Sequence, residues 1–138
     1  MRLPLITSLT AVAALGFSAQ AGEAVTYEVA GDTYEGYLAE ATRDAKGLVL
    51  IIHDWGGLDD YEKTRAEMLA DEGYDAFAVD LYGQGNRPDT TEARKEIVGQ
   101  LYNDRETMRT RILGGLDEAR EQTGLSDVVV MGYCFGGG

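Results

Sequence analysis

The sequence predicts an α/β domain built on a mostly parallel sheet with an antiparallel hairpin at its amino-terminal end. Three observations predict it. Short, wholly apolar runs recur at GLVLIIH (Gly47–His53), DAFAVD (Asp75–Asp80) and DVVVMG (Asp127–Gly132). Amphipathic stretches of helical period separate them. Two runs of alternating apolar and polar residues precede them all. Continuous apolar strands suit a sheet covered on both faces, and strands alternating with helices build parallel sheets. At 138 residues, 44% of them hydrophobic, the chain makes one domain at most.

The alternating runs are Val25–Val29 and Thr33–Ala39, with Gly31-Asp32 between them as the turn of a hairpin. Gly47–His53 follows as a buried strand. A helix then starts at Asp59 or Asp60, where Asp59 and Glu62 have the spacing of a capping box. Its sheet-facing side is expected to carry Tyr61, Arg65, Met68 and Leu69. Gly73 supplies a left-handed stop, and Asp75–Asp80 is the second buried strand. Leu81–Thr90, rich in glycine and holding Pro88, is a loop. A short helix opens at Thr91 and runs through Leu101 and Tyr102; Asp104 caps the next. Met108, Ile112, Leu116 and Ala119 recur every three or four residues, the spacing of a helix packed on a sheet. Within that helix Gly114-Gly115 either weakens the middle or admits a close neighbour. Gly124 ends it, and Asp127–Gly132 is the third buried strand.

Charge narrows the partners. With 24 Asp and Glu against 12 Lys and Arg, the net charge is −12. Phosphate backbones and anionic membrane surfaces are poor partners for such a chain, so no nucleic acid is expected. The first 21 residues stand apart: Arg2, an apolar run from Leu3 to Phe17, then Ala19-Gln20-Ala21. That is the pattern of a secretory signal peptide, too short to span a bilayer. Cleavage after Ala21 would remove Arg2, the segment's one charge, and leave a chain from Gly22 to Gly138 carrying −13. An exported chain, periplasmic or secreted and without stable membrane insertion, is therefore expected. Its single cysteine can form no internal disulfide. The thiol is then either well buried or kept for its reactivity.

That cysteine sits in Gly132-Tyr133-Cys134-Phe135-Gly136, directly after VVVM. A sharp turn from strand to helix would hold Cys134 in a strained conformation and thrust its side chain out of the sheet. Glycines on either side remove β-carbons that would collide. Gly-x-Ser-x-Gly turns of hydrolases follow this logic with oxygen in place of sulfur. A helix starting just beyond would supply amides and a positive field, both favouring a thiolate. The Phe135 amide could donate to a tetrahedral oxyanion. The second candidate is His53-Asp54-Trp55-Gly56-Gly57, beyond the first buried strand. Ligands of open α/β sheets bind past the carboxyl ends of the strands, so both segments should meet at one edge. The Trp55 amide is the expected second oxyanion donor, and Asp54 could bind substrate or modulate the thiol. His53 reads as a histidine satisfied at a strand end. Gly83-Gln84-Gly85 lacks a third glycine at dinucleotide spacing, and one histidine without Cys-x-x-Cys suggests no metal site and no cofactor.

With these residues in hand, the chain resembles the dienelactone hydrolase family of α/β-hydrolases. LVLIIHDWGGLDDYEKTRAEMLADEGYDAFAVDLYGQG and VVVMGYCFGGG carry the resemblance, and GYCFGG is its most specific part. The resemblance implies an α/β-hydrolase fold and a cysteine nucleophile, matched by Cys134. It also implies oxyanion amides at positions matching Trp55 and Phe135, and a small-molecule ester or lactone as substrate. Family members present an acidic residue beside the thiol, often glutamate; Asp54 stands there. They place the remaining acid and the histidine after the nucleophile. The chain is thus expected to be the amino-terminal part of one longer hydrolase domain, ending at its nucleophile and lacking efficient turnover by itself. Two rival readings are an exported, non-catalytic ligand-binding domain on the same fold and a thiol redox protein. A missing resolving cysteine counts against the latter. Oligomeric state is not legible in the residues.

Overall fold

The computed structural model describes residues 21–138. All of the expected signal peptide except Ala21 lies outside them. Five strands form one mixed sheet in the order β1-β2-β4-β3-β5. β1 (Glu23–Val29) and β2 (Asp32–Ala39) are the antiparallel hairpin. β3 (Leu48–Ile52), β4 (Asp75–Val79) and β5 (Val128–Gly132) run parallel, and β2 joins them antiparallel along β4. Helix α1 (Asp60–Asp71) links β3 to β4; α2 (Thr91–Asn103) and α3 (Arg105–Thr123) link β4 to β5.

The hairpin turn sits one residue earlier than Gly31-Asp32. Val29 pairs with Asp32, so Ala30 and Gly31 are the two turn residues, at φ +52° and +88°. Two positive values match the hairpin turns whose twist suits the flanking strands. Asp32 is consequently the first residue of β2.

Side chains alternate across β3 and divide the core in two. Leu48, Leu50 and Ile52 face one cluster with Tyr27, Phe77, Val79 and Leu101, against which Met108, Ile112 and Leu116 of α3 pack. Val49 and Ile51 face the other with Tyr37, Ala66, Ala70, Ala76 and Ala78. A strand covered on both faces needs an unbroken apolar run, and β3 is buried at every position. α3 lies close on the sheet because of its glycines. A β-carbon on Gly114 would overlap Val29, and one on Gly115 would come within 2.5 Å of Val79.

α1 begins as expected and packs otherwise. The Asp59–Glu62 capping box forms. At the other end the amides of Tyr74 and Gly73 donate to the carbonyls of Leu69 and Ala70, a Schellman stop with Gly73 at φ +90°. The buried face, however, is Glu62, Ala66 and Ala70. Of the four residues expected there, Tyr61 and Met68 are exposed, and Arg65 and Leu69 are half-buried. Alanines on α1 meet Ala76 and Ala78 of β4, so small residues on both sides let helix and sheet approach. Larger side chains are turned outward.

β5 also departs from expectation. It is an edge strand among the described residues, pairing only with β3, and it is not buried: Val129 is 66% and Val130 56% exposed. Beyond it Cys134–Gly137 make one turn of 3-10 helix.

Candidate active site

Both candidate segments lie at the carboxyl ends of neighbouring parallel strands, β3 and β5. Backbone contact joins them. The Tyr133 amide donates to the Ile52 carbonyl at 3.2 Å. A β-carbon on Gly136 would overlap that same carbonyl and come within 2.7 Å of the His53 carbonyl oxygen. One on Gly132 would overlap the Gly136 carbonyl. Only glycine fits at either place, which is why the turn carries one on each side of Cys134.

Cys134 itself sits at φ +51° and is exposed. A non-glycine residue in the left-handed region is a strained one, held there by its surroundings and concentrated at functional sites. What holds it here is the pairing of Tyr133 with β3 on one side and the Gly136 amide on the Tyr133 carbonyl, at 2.9 Å, on the other. Phe135 turns inward and is buried, with ring centroids 5.5 Å from Tyr102, 6.0 Å from His53 and 6.1 Å from Tyr82. Its amide accompanies the cysteine at the turn.

The loop after β3 is fastened by side chains. His53 is fully buried, and both ring nitrogens are engaged: Nε2 accepts from the Leu81 amide at 3.1 Å, and Nδ1 lies 2.6 Å from the Asp54 carbonyl. Burial lowers its pKa, the hydrogen bond to the Asp54 carbonyl opposing that shift, so the ring is neutral. The expectation of a histidine satisfied at a strand end holds. Asp54 Oδ1 accepts from the Gly56 amide at 2.6 Å, folding the loop on itself. Trp55 is half-buried, its carbonyl accepting from the Tyr82 hydroxyl at 3.0 Å and its ring 5.8 Å from the Arg94 guanidinium carbon.

Three residues at this edge escaped sequence reasoning in part or whole. Glu62, buried under the loop, accepts from the Asp59 amide at 3.1 Å and also from the Asp54 amide at 3.3 Å. The capping-box spacing signals the first bond; nothing local signals the second. Its carboxyl pKa is raised by burial, the amide hydrogen bonds pulling the other way. Tyr82 is buried with its hydroxyl pKa pushed up, first by burial and then by the Asp54 carboxylate, so it stays a donor to Trp55. Arg87 donates to the Leu58, Gly83 and Asn86 carbonyls and pairs with buried Asp80 at 3.5 Å, tying the Leu81–Thr90 loop to the loop after β3. Among the described residues no group of three or more His, Cys, Asp or Glu could hold a metal, and no helix is long and apolar enough to cross a membrane.

Comparison with known proteins gives this arrangement a family. A protein of Aquifex aeolicus (strain VF5) carrying the name "Putative carboxymethylenebutenolidase" is 30% identical over 122 residues, which is 84% of this chain and 52% of that one. The structure of "m3DLH" superposes with a TM-score of 0.79 at 28% identity, over 86% of this chain and 51% of that one. That of the dienelactone hydrolase-like promiscuous phosphotriesterase P91, from metagenomic libraries, does so at 0.76 and 28%, over 83% and 49%. The chain thus spans about half the length of these relatives. The α/β-hydrolase architecture, with an antiparallel start and a parallel centre, is shared with these structures. Residues 34–138 match the family model described as "Dienelactone hydrolase family", and the chain belongs to that family.

Proposed function

We propose that the protein carrying this chain cleaves an ester or lactone through the Cys134 sulfur. Family membership supports a hydrolase. The observation that carries the finer reading is Cys134 exposed at φ +51°, between two glycines whose β-carbon positions are filled by backbone. The sulfur attacks the substrate carbonyl carbon, and the carbonyl oxygen takes the negative charge. The Trp55 and Phe135 amides donate to that oxyanion. Collapse of the intermediate breaks the carbon–oxygen bond; the alcohol leaves with a proton and the acyl group stays on sulfur. Water then releases the acid and restores the thiol. Asp54, two residues beyond the end of β3, acts on the substrate or the thiol. His53 has both ring nitrogens engaged, Nε2 by the Leu81 amide and Nδ1 at the Asp54 carbonyl, so it is not the base that manages these protons.

Full-length protein tests this. Cys134→Ala should abolish p-nitrophenyl acetate hydrolysis, and iodoacetamide should label Cys134 near neutral pH faster than in the denatured chain. Unchanged hydrolysis in the variant removes Cys134 from the chemistry. Export is a second proposal, carried by Arg2, the Leu3–Phe17 run and Ala19-Gln20-Ala21. The secreted protein should begin at Gly22; sequencing that finds Met1 refutes cleavage.

A further inference from the structure

We infer that His53 is a positioning residue for the oxyanion site: its Nδ1–H holds the Asp54 carbonyl and so aims the Trp55 amide. The inference rests on Trp55 being an oxyanion donor, as proposed above. The Leu81 amide donates to Nε2 at 3.1 Å, so Nε2 carries a lone pair and no proton. A neutral ring then has its hydrogen on Nδ1, 2.6 Å from the Asp54 carbonyl oxygen. The end of β4 thus selects the tautomer, and the tautomer makes the second bond.

That bond sets a direction. The Asp54 carbonyl and the Trp55 amide belong to one peptide plane, and the peptide is trans. Carbonyl and N–H therefore point opposite ways. With the carbonyl turned onto the buried ring, the Trp55 N–H is turned away from it. The Gly57 amide also donates to the Asp54 carbonyl, at 3.3 Å. The next peptide is fixed in turn, because the Tyr82 hydroxyl holds the Trp55 carbonyl at 3.0 Å. Two buried side chains from the ends of β3 and β4 thereby immobilise consecutive peptides of a glycine-rich loop. Fixed donors need no reorganisation when charge develops, which is how such a site accelerates reaction.

Two variants separate this from simple packing. An Asn side-chain amide can occupy the place of Nδ1 and keep a donor to the Asp54 carbonyl; a Gln amide reaches toward Leu81 and loses it. In full-length protein, acylation of Cys134 by p-nitrophenyl acetate needs the oxyanion site, whereas alkylation by iodoacetamide develops no oxyanion. His53→Gln should slow acylation about 10- to 100-fold and leave alkylation at its wild-type rate. His53→Asn should restore most of the loss. Acylation by His53→Gln at the wild-type rate, in a protein that Cys134→Ala inactivates, overturns the inference and leaves the nucleophile standing. Full hydrolysis by Cys134→Ala overturns both. In full-length protein the two ring nitrogens of His53 are assigned in nitrogen-15 NMR as the pair missing from the His53→Asn spectrum. They should report an Nδ1–H tautomer; an Nε2–H tautomer overturns the inference.

Discussion

The ends of β3 and β5 are built by opposite means. After β3 the loop is held by buried polar side chains: His53 on the Asp54 carbonyl, Glu62 on the Asp54 amide, Tyr82 on the Trp55 carbonyl. After β5 the turn is shaped by the absence of side chains, with Gly132 and Gly136 packed directly on backbone and Cys134 left at φ +51°. One end spends desolvated polar groups to fix amides in place. The other stores backbone strain to present a sulfur. Positioning a weak donor such as an amide calls for several bonds, because each is worth only about 1 kcal/mol net. Presenting a side chain needs only a backbone that has no alternative.

The comparison predicts its own breaking points. At the β5 end there is no slack. Gly136→Ala should cost about 3 kcal/mol, the upper part of the range for overpacking, because its β-carbon meets the Ile52 and His53 backbone. Urea unfolding measures it, and a loss under about 1 kcal/mol would mean that the elbow and the β3 end can separate. At the β3 end, Glu62→Ala should cost about 1–3 kcal/mol by leaving the Asp54 and Asp59 amides without their acceptor. The same titration reads it. Glu62→Gln, which keeps an acceptor oxygen, should recover part of the loss.

A pH series sharpens the contrast, since only the β3 end carries buried titratable groups. His53 is lowered by burial from an ordinary value of 6.5. Below pH 6.5 the unfolded chain binds a proton that the folded chain refuses. Stability is therefore full above 6.5 and is lost as pH falls toward the folded value. Glu62 works the other way: its carboxyl is raised by burial from 4.5, so its contribution is present at low pH and lost as pH rises through the folded value. His53→Asn removes the first effect alone. Its melting temperature should fall less steeply than that of the wild type between pH 6.5 and 5.

How much of this was legible in the residues follows from what each feature depends on. The covered strand β3, the capping box at Asp59 and the stop at Gly73 are local or periodic, and the residues report them directly; the glycine pair of α3 left two roles open, and Val29 and Val79 of the sheet decide for close approach. The elbow was legible because glycine on both sides of a cysteine has few other uses. The buried face of α1 was not. Hydrophobic periodicity favours Tyr61, Met68 and Leu69, while the face that packs is alanine with one capping glutamate. Small residues win there by allowing close approach, a property of the pair of surfaces and not of either sequence. The second bond of Glu62 and the tautomer of His53 were hidden likewise. Both depend on groups brought in from elsewhere, Asp54 eight residues away and Leu81 on another strand end.

β3 and β5 supply the smallest and cleanest test. Their apolar runs, LVLII and VVVMG, read alike, yet β3 is buried throughout and β5 shows Val129 and Val130 to solvent. Burial belongs to position in the sheet: among the described residues β3 lies between β4 and β5, and β5 has a neighbour on one side. The same substitution should therefore do different things. Val130→Lys in this 138-residue chain should change unfolding free energy by no more than about 0.5 kcal/mol, as exposed sites do. It should also slow aggregation, because a charge on an open edge opposes strand addition. Leu50→Lys, directly across the ladder on β3, should prevent folding, since it places an unpaired charge where nothing is exposed. A large loss of stability from Val130→Lys, measured at concentrations where the chain is monomeric, would mean that β5 is covered in solution, and the difference between the two strands would vanish.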